Sequence, residues 1–200
     1  MKQFLTLNDL QNFDAQVALA KEIKANPYLY QELGKRKTLG LLFFNPSLRT
    51  RLSTQKAGRL LGMDVMVMNF SNEAWAIEYE HETIMKGLRS EHVKEAAQVV
   101  SQYCDVVGIR AFATLTDKEK DESEQVLQKF IQYASVPILN MESATAHPLQ
   151  ALADALTLTE LSLPKKPKVV LTWAPHPKAL PHAVGTVSYT HLTLPTTVIV

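Results

Sequence analysis

The stretch TLGLLFFNPSLRTRLSTQKAGRLLGMDVMVMNF, residues 38–70, decides the fold of this 200-residue chain. Its apolar start, residues 38–44, predicts a strand that is buried on both faces of a sheet. Residues 50–61 predict a helix that ends before Gly62, and residues 65–70 predict a second strand. Because a helix joins the two strands, the stretch is typical of a parallel sheet.

The alternation of strand and helix continues along the rest of the chain. Further helices are predicted at residues 7–25, 91–103, 122–134 and 147–161, and further strands at 106–109, 136–139 and 168–173. Apolar side chains at helical spacing are expected to face the sheet, namely Val93, Ala96, Ala97, Val100, Val126, Leu127, Phe130, Ile131, Leu149, Leu152, Ala153 and Leu156. The sequence therefore predicts an α/β fold with a parallel sheet flanked by helices.

The segment Pro164-Lys165-Lys166-Pro167 is the best candidate for a domain boundary. Residues 1–163 are expected to form one complete domain. Residues 164–184 then supply a linker and the first strand of a second α/β domain that is only begun. Residues 185–200, GTVSYTHLTLPTTVIV, show no helical period, and we expect them to be an unrelated tail of a truncated or chimeric gene prediction.

The composition is that of an ordinary soluble globular protein, with 46% hydrophobic and 20% charged residues. A formal charge of +1 and the absence of a long basic run argue against nucleic-acid binding by bulk charge. The single cysteine, Cys104, fits a reducing compartment. The amino terminus lacks the apolar core of a signal peptide, and no apolar stretch reaches the roughly 18 residues of a membrane span. These features predict a cytoplasmic protein without a membrane partner.

Polar side chains cluster just beyond three of the predicted strands, where parallel sheets usually bind their ligands. They are Ser47, Arg49, Thr50 and Arg51 after the first strand, Arg110 after the third, and Glu142, His147 and Gln150 after the fourth. A helix begins within the first group, so its unpaired N–H groups and positive dipole end favour an anion. Hydroxyl donors and a guanidinium fork add affinity for phosphate oxygens. The pattern predicts an oxyanion site.

Each of these residues also has an ordinary structural interpretation. Ser47 and Thr50 are typical helix N-caps, and Arg49 and Arg51 are typical solvated helix charges. Arg110 fits a surface ion pair, and His147 fits a capping or core histidine. The joint placement at one sheet edge favours the functional interpretation. Because no His, Cys, Asp or Glu run has metal-ligand spacing and no glycine-rich nucleotide loop is present, neither a metal nor a cofactor is expected.

With the motifs SLRTR (47–51), GIRAF (108–112) and HPLQALAD (147–154), the chain resembles the aspartate/ornithine carbamoyltransferase superfamily. The resemblance covers about residues 1–184. NPSLRTRLSTQKA, MESATAHPLQ and VVLTWAPHPKALPHAV are similar to the branch that acts on N-succinyl- or N-acetylornithine. The resemblance implies transfer of the carbamoyl group from carbamoyl phosphate to the δ-amine of an N-acylated ornithine, in arginine biosynthesis.

The resemblance also implies roles for individual residues. Ser47, Leu48, Arg49 and Thr50 would hold the phosphate together with Arg110, and His147 and Gln150 would bind the carbamoyl group. Glu142 and His176 match positions that contact the acylated ornithine. Trp75, otherwise an ordinary packing aromatic, matches a residue that reaches a neighbouring subunit's site in a trimer with shared sites. The catalytic donors would be Arg49, Arg110 and His147.

The chain departs from the family pattern at several places. In MKGLRSEH (85–92), Ser90 falls where succinyl-specific enzymes tend to have proline and acetyl-specific ones glutamate. The sequence therefore does not indicate whether the substrate carries a succinyl or an acetyl group. Lys86 and Arg89 would suit a succinyl carboxylate, or simply face water. Ala146 replaces a basic residue that many relatives carry, and the family continues well beyond Val184 where this chain has its unrelated tail.

Two other functions remain open from the sequence. One is ordinary ornithine carbamoyltransferase activity, which would use the free amino acid as acceptor. The other is a non-catalytic module that binds a phosphate metabolite without turnover.

Overall fold

The computed structural model describes residues 3–70, 76–80, 89–114 and 116–161. The predictions for Trp75, Lys86, His176, the strand at 168–173, the linker and the tail lie outside the described residues. The strands are β1 (Gln3–Phe4), β2 (Thr38–Phe43), β3 (Asp64–Asn69), β4 (Ala76–Glu78), β5 (Arg89–His92), β6 (Val106–Arg110) and β7 (Ile138–Glu142). The helices are α1 (Phe13–Ala25), α2 (Arg49–Leu60), α3 (Val93–Tyr103), α4 (Lys118–Glu122), α5 (Gln125–Tyr133) and α6 (Pro148–Glu160).

The main sheet has five strands in the order β1-β7-β6-β2-β3, and every pairing in it is parallel. Apolar side chains alternate between its two faces, as strand geometry requires. Leu42, Val107 and Ile109 belong to a core shared with α3 and α5. Leu41 and Phe43 belong to a second core on the other face, which includes Met141. The predicted parallel sheet flanked by helices is confirmed.

The helix predictions are right in kind but wrong at several boundaries. The predicted helix at 7–25 is a 3-10 turn, Leu7–Asp9, followed by α1, because the Asn12 side chain accepts a hydrogen bond from Ala15 N and starts α1 at Phe13. The predicted helix at 122–134 is two helices, separated where Glu124 has a left-handed backbone, φ 48°. Helix α2 ends as predicted, with Gly62 at φ 78°.

The prediction for the inner face of α6 is confirmed for Leu149 and Leu156, which pack against buried cores, and is wrong for Ala153. Its buried residues are Pro148, Ala151 and Ala155, while Ala153 is exposed. Ala155 packs with Val17 of α1, and small side chains allow two helices to approach closely. The leucines of α6 are only partly buried: Leu156 packs beside this contact, and Leu149 packs against the sheet core that includes Met141.

A second, two-stranded sheet pairs β4 with β5 and contains a buried carboxylate. The Glu78 Oε1 atom accepts hydrogen bonds from Tyr79 N (2.9 Å) and Glu80 N (3.0 Å), and Arg89 Nη1 donates to Oε2 at 2.6 Å. The N–H of Glu80 and the Arg89 guanidinium, with a smaller contribution from the N–H of Tyr79, lower the pKa of Glu78 from 4.5 to about 2. The carboxylate therefore anchors both strands.

Because the folded-state pKa of Glu78 is depressed, its stabilisation is present above pH 4.5 and is lost as the pH falls toward 2. Glu78→Gln should therefore lower the thermal unfolding midpoint at pH 7, and the difference from the parent should shrink across that window. Thermal unfolding followed by circular dichroism from pH 7 to pH 2 measures it. Glu32→Gln, which removes a pair between two exposed side chains, is the control. A pH-independent difference would contradict the assignment.

No helix among the described residues combines the length and the apolar character needed to cross a membrane.

Candidate active site

Strand register brings three of the predicted site segments to one edge of the sheet. Phe43, at the end of β2, pairs with Arg110, at the end of β6. Arg110 pairs in turn with Glu142, at the end of β7, through a bulge between Ile109 and Arg110. Glu142 thus lies on its strand and not after it, because β7 runs from Ile138 to Glu142 and not from 136 to 139.

Arg110 is buried, with 2% of its surface exposed, and its guanidinium joins two strands and a loop. Its Nε donates to Glu142 Oε2 at 3.2 Å. Its Nη1 donates to the backbone oxygens of Asn45 (3.2 Å) and Pro46 (2.8 Å). Since Nη2 makes no hydrogen bond to any described residue, one edge of the fork stays available for an oxyanion.

The charge of Arg110 is balanced inside the protein. Burial lowers the pKa of Arg110, while the carboxylate of Glu142 acts in the opposite direction. The two side chains are almost fully buried, so neither charge is left to solvent. Arg110 and Glu142 together contribute no net charge, and the charge of a bound dianion must be balanced by other groups.

His147 lies beside this pair, at the start of α6. Its Nδ1 accepts a hydrogen bond from Gln150 N at 3.4 Å, so a neutral imidazole carries its proton on Nε2. Nε2 is 3.8 Å from Glu142 Oε2. The ring therefore presents an N–H donor at the same carboxylate that holds Arg110.

Gln150 follows within the first turn of α6. Its Nε2 donates to Asp154 Oδ1 at 2.8 Å, which fixes the amide group. The amide oxygen is then the atom that Gln150 offers to a ligand, and it suits an NH₂ donor. His147 and Gln150 together combine a donor for a carbonyl oxygen with an acceptor for an amide nitrogen.

The first turn of α2 is open to an anion. Its N-cap position is occupied by Leu48, which makes no side-chain capping hydrogen bond and is 72% exposed. The capping interpretation of Ser47 is therefore wrong, and no side chain in the described part of the chain accepts a hydrogen bond from the first N–H groups of the helix. Arg49, the first helical residue, is exposed and makes no hydrogen bond or ion pair with any described residue.

Arg110 also connects this turn to the rest of the site. It donates a hydrogen bond to the backbone oxygen of Pro46, which is the residue immediately before Ser47. Arg51 is directed elsewhere: its Nη1 donates to Asn69 Oδ1 at 2.9 Å, at the end of β3. The structure thus brings Arg110 and His147 to the same carboxylate, that of Glu142, and holds the Ser47–Thr50 turn beside them.

Sequence reasoning missed two residues of this edge. Asn45 Oδ1 accepts a hydrogen bond from Phe112 N at 2.6 Å, which fastens the β2 loop to the β6 loop. The Phe112 ring lies 3.9 Å from the Arg110 guanidinium carbon and covers one face of the cation. In the sequence, the Asn-Pro pair indicates only a turn, and a lone phenylalanine indicates only a core residue. Neither residue was therefore predicted to belong to the site.

Comparison with known proteins finds relatives of this chain. The carbamoyl-P binding domain of the aspartate/ornithine carbamoyltransferase family matches residues 2–160. N-succinylornithine carbamoyltransferase of Bacteroides thetaiotaomicron is 48% identical over 184 residues, 92% of this chain and 58% of that protein. N-acetylornithine carbamoyltransferase of Xanthomonas campestris pv. campestris is 42% identical over 190 residues, 92% of this chain and 55% of that protein.

A solved structure extends the comparison to three dimensions. It is an N-acetyl-L-ornithine transcarbamylase variant with a glutamate replaced by serine, complexed with carbamyl phosphate and N-succinyl-L-norvaline. It superimposes with a TM-score of 0.85 at 38% identity, covering 95% of this chain and 58% of that chain. This chain spans less than two thirds of the length of these relatives. It belongs to the aspartate/ornithine carbamoyltransferase family, of which residues 2–160 form the carbamoyl-P binding domain.

Proposed function

We propose that this chain binds carbamoyl phosphate at the edge formed by the Ser47–Thr50 turn, Arg110 and His147, as part of an N-acylornithine carbamoyltransferase. One observation carries the proposal: Arg110 bonds to the Pro46 oxygen just before the N-terminus of α2, which has no side-chain cap. The same arginine bonds to Glu142, and His147 lies beside that carboxylate. The turn offers N–H groups, Arg49 and the hydroxyls of Ser47 and Thr50 to a phosphate. Because Arg110 is already balanced by Glu142, the exposed Arg49 supplies the positive charge that a dianion needs.

The chemistry follows from the placement of the donors. The neutral δ-amine of the acceptor attacks the carbamoyl carbon and the carbonyl π electrons move to oxygen. The tetrahedral intermediate then re-forms the carbonyl and expels phosphate, which takes the proton that the attacking nitrogen loses. His147 Nε2–H and Arg110 Nη2 stabilise the developing oxyanion, and Gln150 Oε1 orients the carbamoyl NH₂ group. Holding two substrates side by side supplies further acceleration. Glu142, Trp75 and His176 are proposed to contact the acylated ornithine, as in the family branch that the chain resembles.

For the acyl group we propose succinyl. The Bacteroides N-succinylornithine enzyme is 48% identical, against 42% for the Xanthomonas N-acetylornithine enzyme. A relative whose glutamate was replaced by serine was solved with a succinyl compound, and this chain has Ser90 where acetyl-specific enzymes have glutamate. A neutral residue there removes the repulsion that a succinyl carboxylate would meet. Arg89 is paired with Glu78 Oε2 at 2.6 Å, so its charge is already partly balanced.

The test is a transfer assay with isotope-labelled carbamoyl phosphate and three acceptors: N-succinyl-, N-acetyl- and free ornithine. The protein is a chimera in which the carboxyl-terminal segment of the Bacteroides relative follows residue 184. We expect N-succinylornithine to be the best acceptor, and Ser90→Glu to shift the preference toward N-acetylornithine at least about tenfold, equivalent to about 1.4 kcal/mol. Transfer to none of the three acceptors would reject the enzyme proposal, and a preference for free ornithine would favour ornithine carbamoyltransferase.

Calorimetry on the 200-residue chain separates binding from turnover. Carbamoyl phosphate should bind the parent and Arg59→Ala equally, because Arg59 lies in the last turn of α2, and should bind Arg49→Ala at least about tenfold more weakly. Binding without any transfer by the chimera would support a non-catalytic module. Equal binding by Arg49→Ala and the parent would reject the phosphate site in either version.

We further propose a cytoplasmic homotrimer with shared sites for the whole protein. Leu48 and Leu52, one helical turn apart on α2, are 72% and 61% exposed directly beside the phosphate turn. A subunit contact there would cover them and bring a neighbour's residues to the site. Light scattering on the chimera tests the assembly, and a monomeric mass for an active chimera would exclude it.

A further inference from the structure

Glu124 occupies a position that its local structure does not explain. It is the residue before α5, where Ser, Thr, Asp or Asn usually caps the helix, but its side chain makes no capping hydrogen bond. Its backbone is left-handed, with φ 48° and ψ 43°, a conformation that favours glycine. A non-glycine residue in this region is strained, and such strain persists only where the surrounding structure enforces it.

The side chain of Glu124 reaches across to the loop between β7 and α6. One oxygen, Oε1, accepts hydrogen bonds from Thr145 N (3.0 Å), Thr145 Oγ1 (2.7 Å) and Ser143 Oγ. The contact spans about 20 residues of sequence and is partly buried. Long-range contacts, and not helix capping, therefore account for a glutamate at this position.

The loop held by Glu124 directly connects two residues of the site. It runs from Ser143 to Ala146, with Glu142 before it and His147 after it, and Ser143 N donates to Ala146 O at 2.9 Å. Buried Asn140 adds a donor, because its Nδ2 donates to Ser143 Oγ at 2.9 Å. A continuous chain of hydrogen bonds thus runs from Asn140 through Ser143 to the Glu124 carboxylate.

We propose that Glu124 is a positioning residue, which fixes the Ser143–Ala146 turn and thereby aligns His147 with Arg110 for carbamoyl transfer. The proposal rests on the proposed function of His147. Glu124 does not touch the reacting atoms; it sets the separation and direction of the two residues that flank the turn. Three donors on one carboxylate oxygen leave the turn a single arrangement, and a shift of about 1 Å in a reacting group is enough to slow catalysis by about 100-fold.

The test compares Glu124→Gly, Glu124→Gln and Glu122→Gln in the chimera. Glycine adopts the left-handed backbone conformation without strain. Glu124→Gly therefore removes the side-chain contact with the Ser143–Ala146 turn and keeps the backbone conformation at this position. We expect its kcat to fall about 10- to 100-fold, with little change in the KM for carbamoyl phosphate, which the α2 turn holds. Glutamine keeps an acceptor oxygen in place and should restore part of the loss. Glu122, exposed and 3.7 Å from Lys118, is the matched control and should leave kcat unchanged.

A second measurement does not depend on turnover. In the ¹⁵N-labelled 200-residue chain, the His147 ring nitrogens should report the Nε2–H tautomer in the parent, and a mixture of tautomers in Glu124→Gly. An unchanged kcat in folded Glu124→Gly, or identical His147 ring signals in the two proteins, would overturn the proposal. If the parent chimera transfers no carbamoyl group, the proposed function fails, while the ring signals still decide whether Glu124 positions His147.

Discussion

Replacing Arg110 by methionine is expected to lower the kcat of carbamoyl transfer by at least about 100-fold and to destabilise the domain by about 3–5 kcal/mol. The variant leaves the Glu142 carboxylate buried without its cation and removes two hydrogen bonds to the Asn45 and Pro46 oxygens. It also removes an oxyanion donor, a loss that typically lowers kcat by about 100- to 1,000-fold. Urea unfolding and the transfer assay on the chimera measure the two effects separately.

The double variant Arg110→Met, Glu142→Leu is the control for stability. Removing both charges leaves no unpaired ion in the interior, so much of the lost unfolding free energy should return, since apolar replacement of a buried pair is often near neutral. Activity should not return, because the guanidinium donor is still missing. Recovery of both stability and turnover in the double variant would show that Arg110 has a structural role alone.

His147→Asn is expected to lower kcat by about 100- to 1,000-fold with only a small change in stability. Asparagine is a good N-cap and can still accept the hydrogen bond from Gln150 N that His147 Nδ1 accepts now, so α6 should begin as before. The imidazole Nε2–H, the donor to the carbamoyl oxygen, is lost. Steady-state kinetics of the chimera and its thermal unfolding midpoint test the two halves of this prediction.

The matched control is His92→Asn. His92 caps α3 in the same way, with its Nδ1 accepting from Lys94 N at 3.1 Å. The substitution should therefore leave kcat within about twofold of the parent, because asparagine can also cap α3 and the donors of the site are unchanged. Equal effects of the two substitutions on kcat would mean that His147 acts only as a cap.

Most of the sheet could be predicted from the sequence because its central strands are continuous apolar runs. The two-residue strand β1 escaped prediction because only its pairing with β7 makes it a strand. The helix at 122–134 was predicted as one piece because its apolar stripe, which includes the buried Leu127 and Phe130, gives no sign of the left-handed residue at 124. The face of α6 was predicted only in part, because a small residue, Ala155, and not a leucine, is the fully buried residue against α1.

The members of the site were predictable where a strand end or a motif marked them, as for Arg110, Glu142 and His147. Their mutual bonding was not, because periodicity does not say which cation meets which carboxylate. Asn45 and Phe112 are 67 residues apart in sequence, and the bond between them involves a backbone N–H that sequence patterns do not reveal. Glu124 likewise bonds to residues that are distant in sequence. The residues on either side of it in the sequence therefore do not indicate this contact.

The bulge between β6 and β7 decides which residue of β7 lies opposite Arg110. Ile109 pairs with Asn140, yet the next pair is Arg110 with Glu142, so Met141 has no partner on β6. Regular pairing beyond Ile109, with every residue kept, would instead place the Met141 thioether opposite the guanidinium and carry Glu142 one position past it. The unpaired residue therefore matches the two charges, and a change that removed the bulge without shortening β7 would separate them.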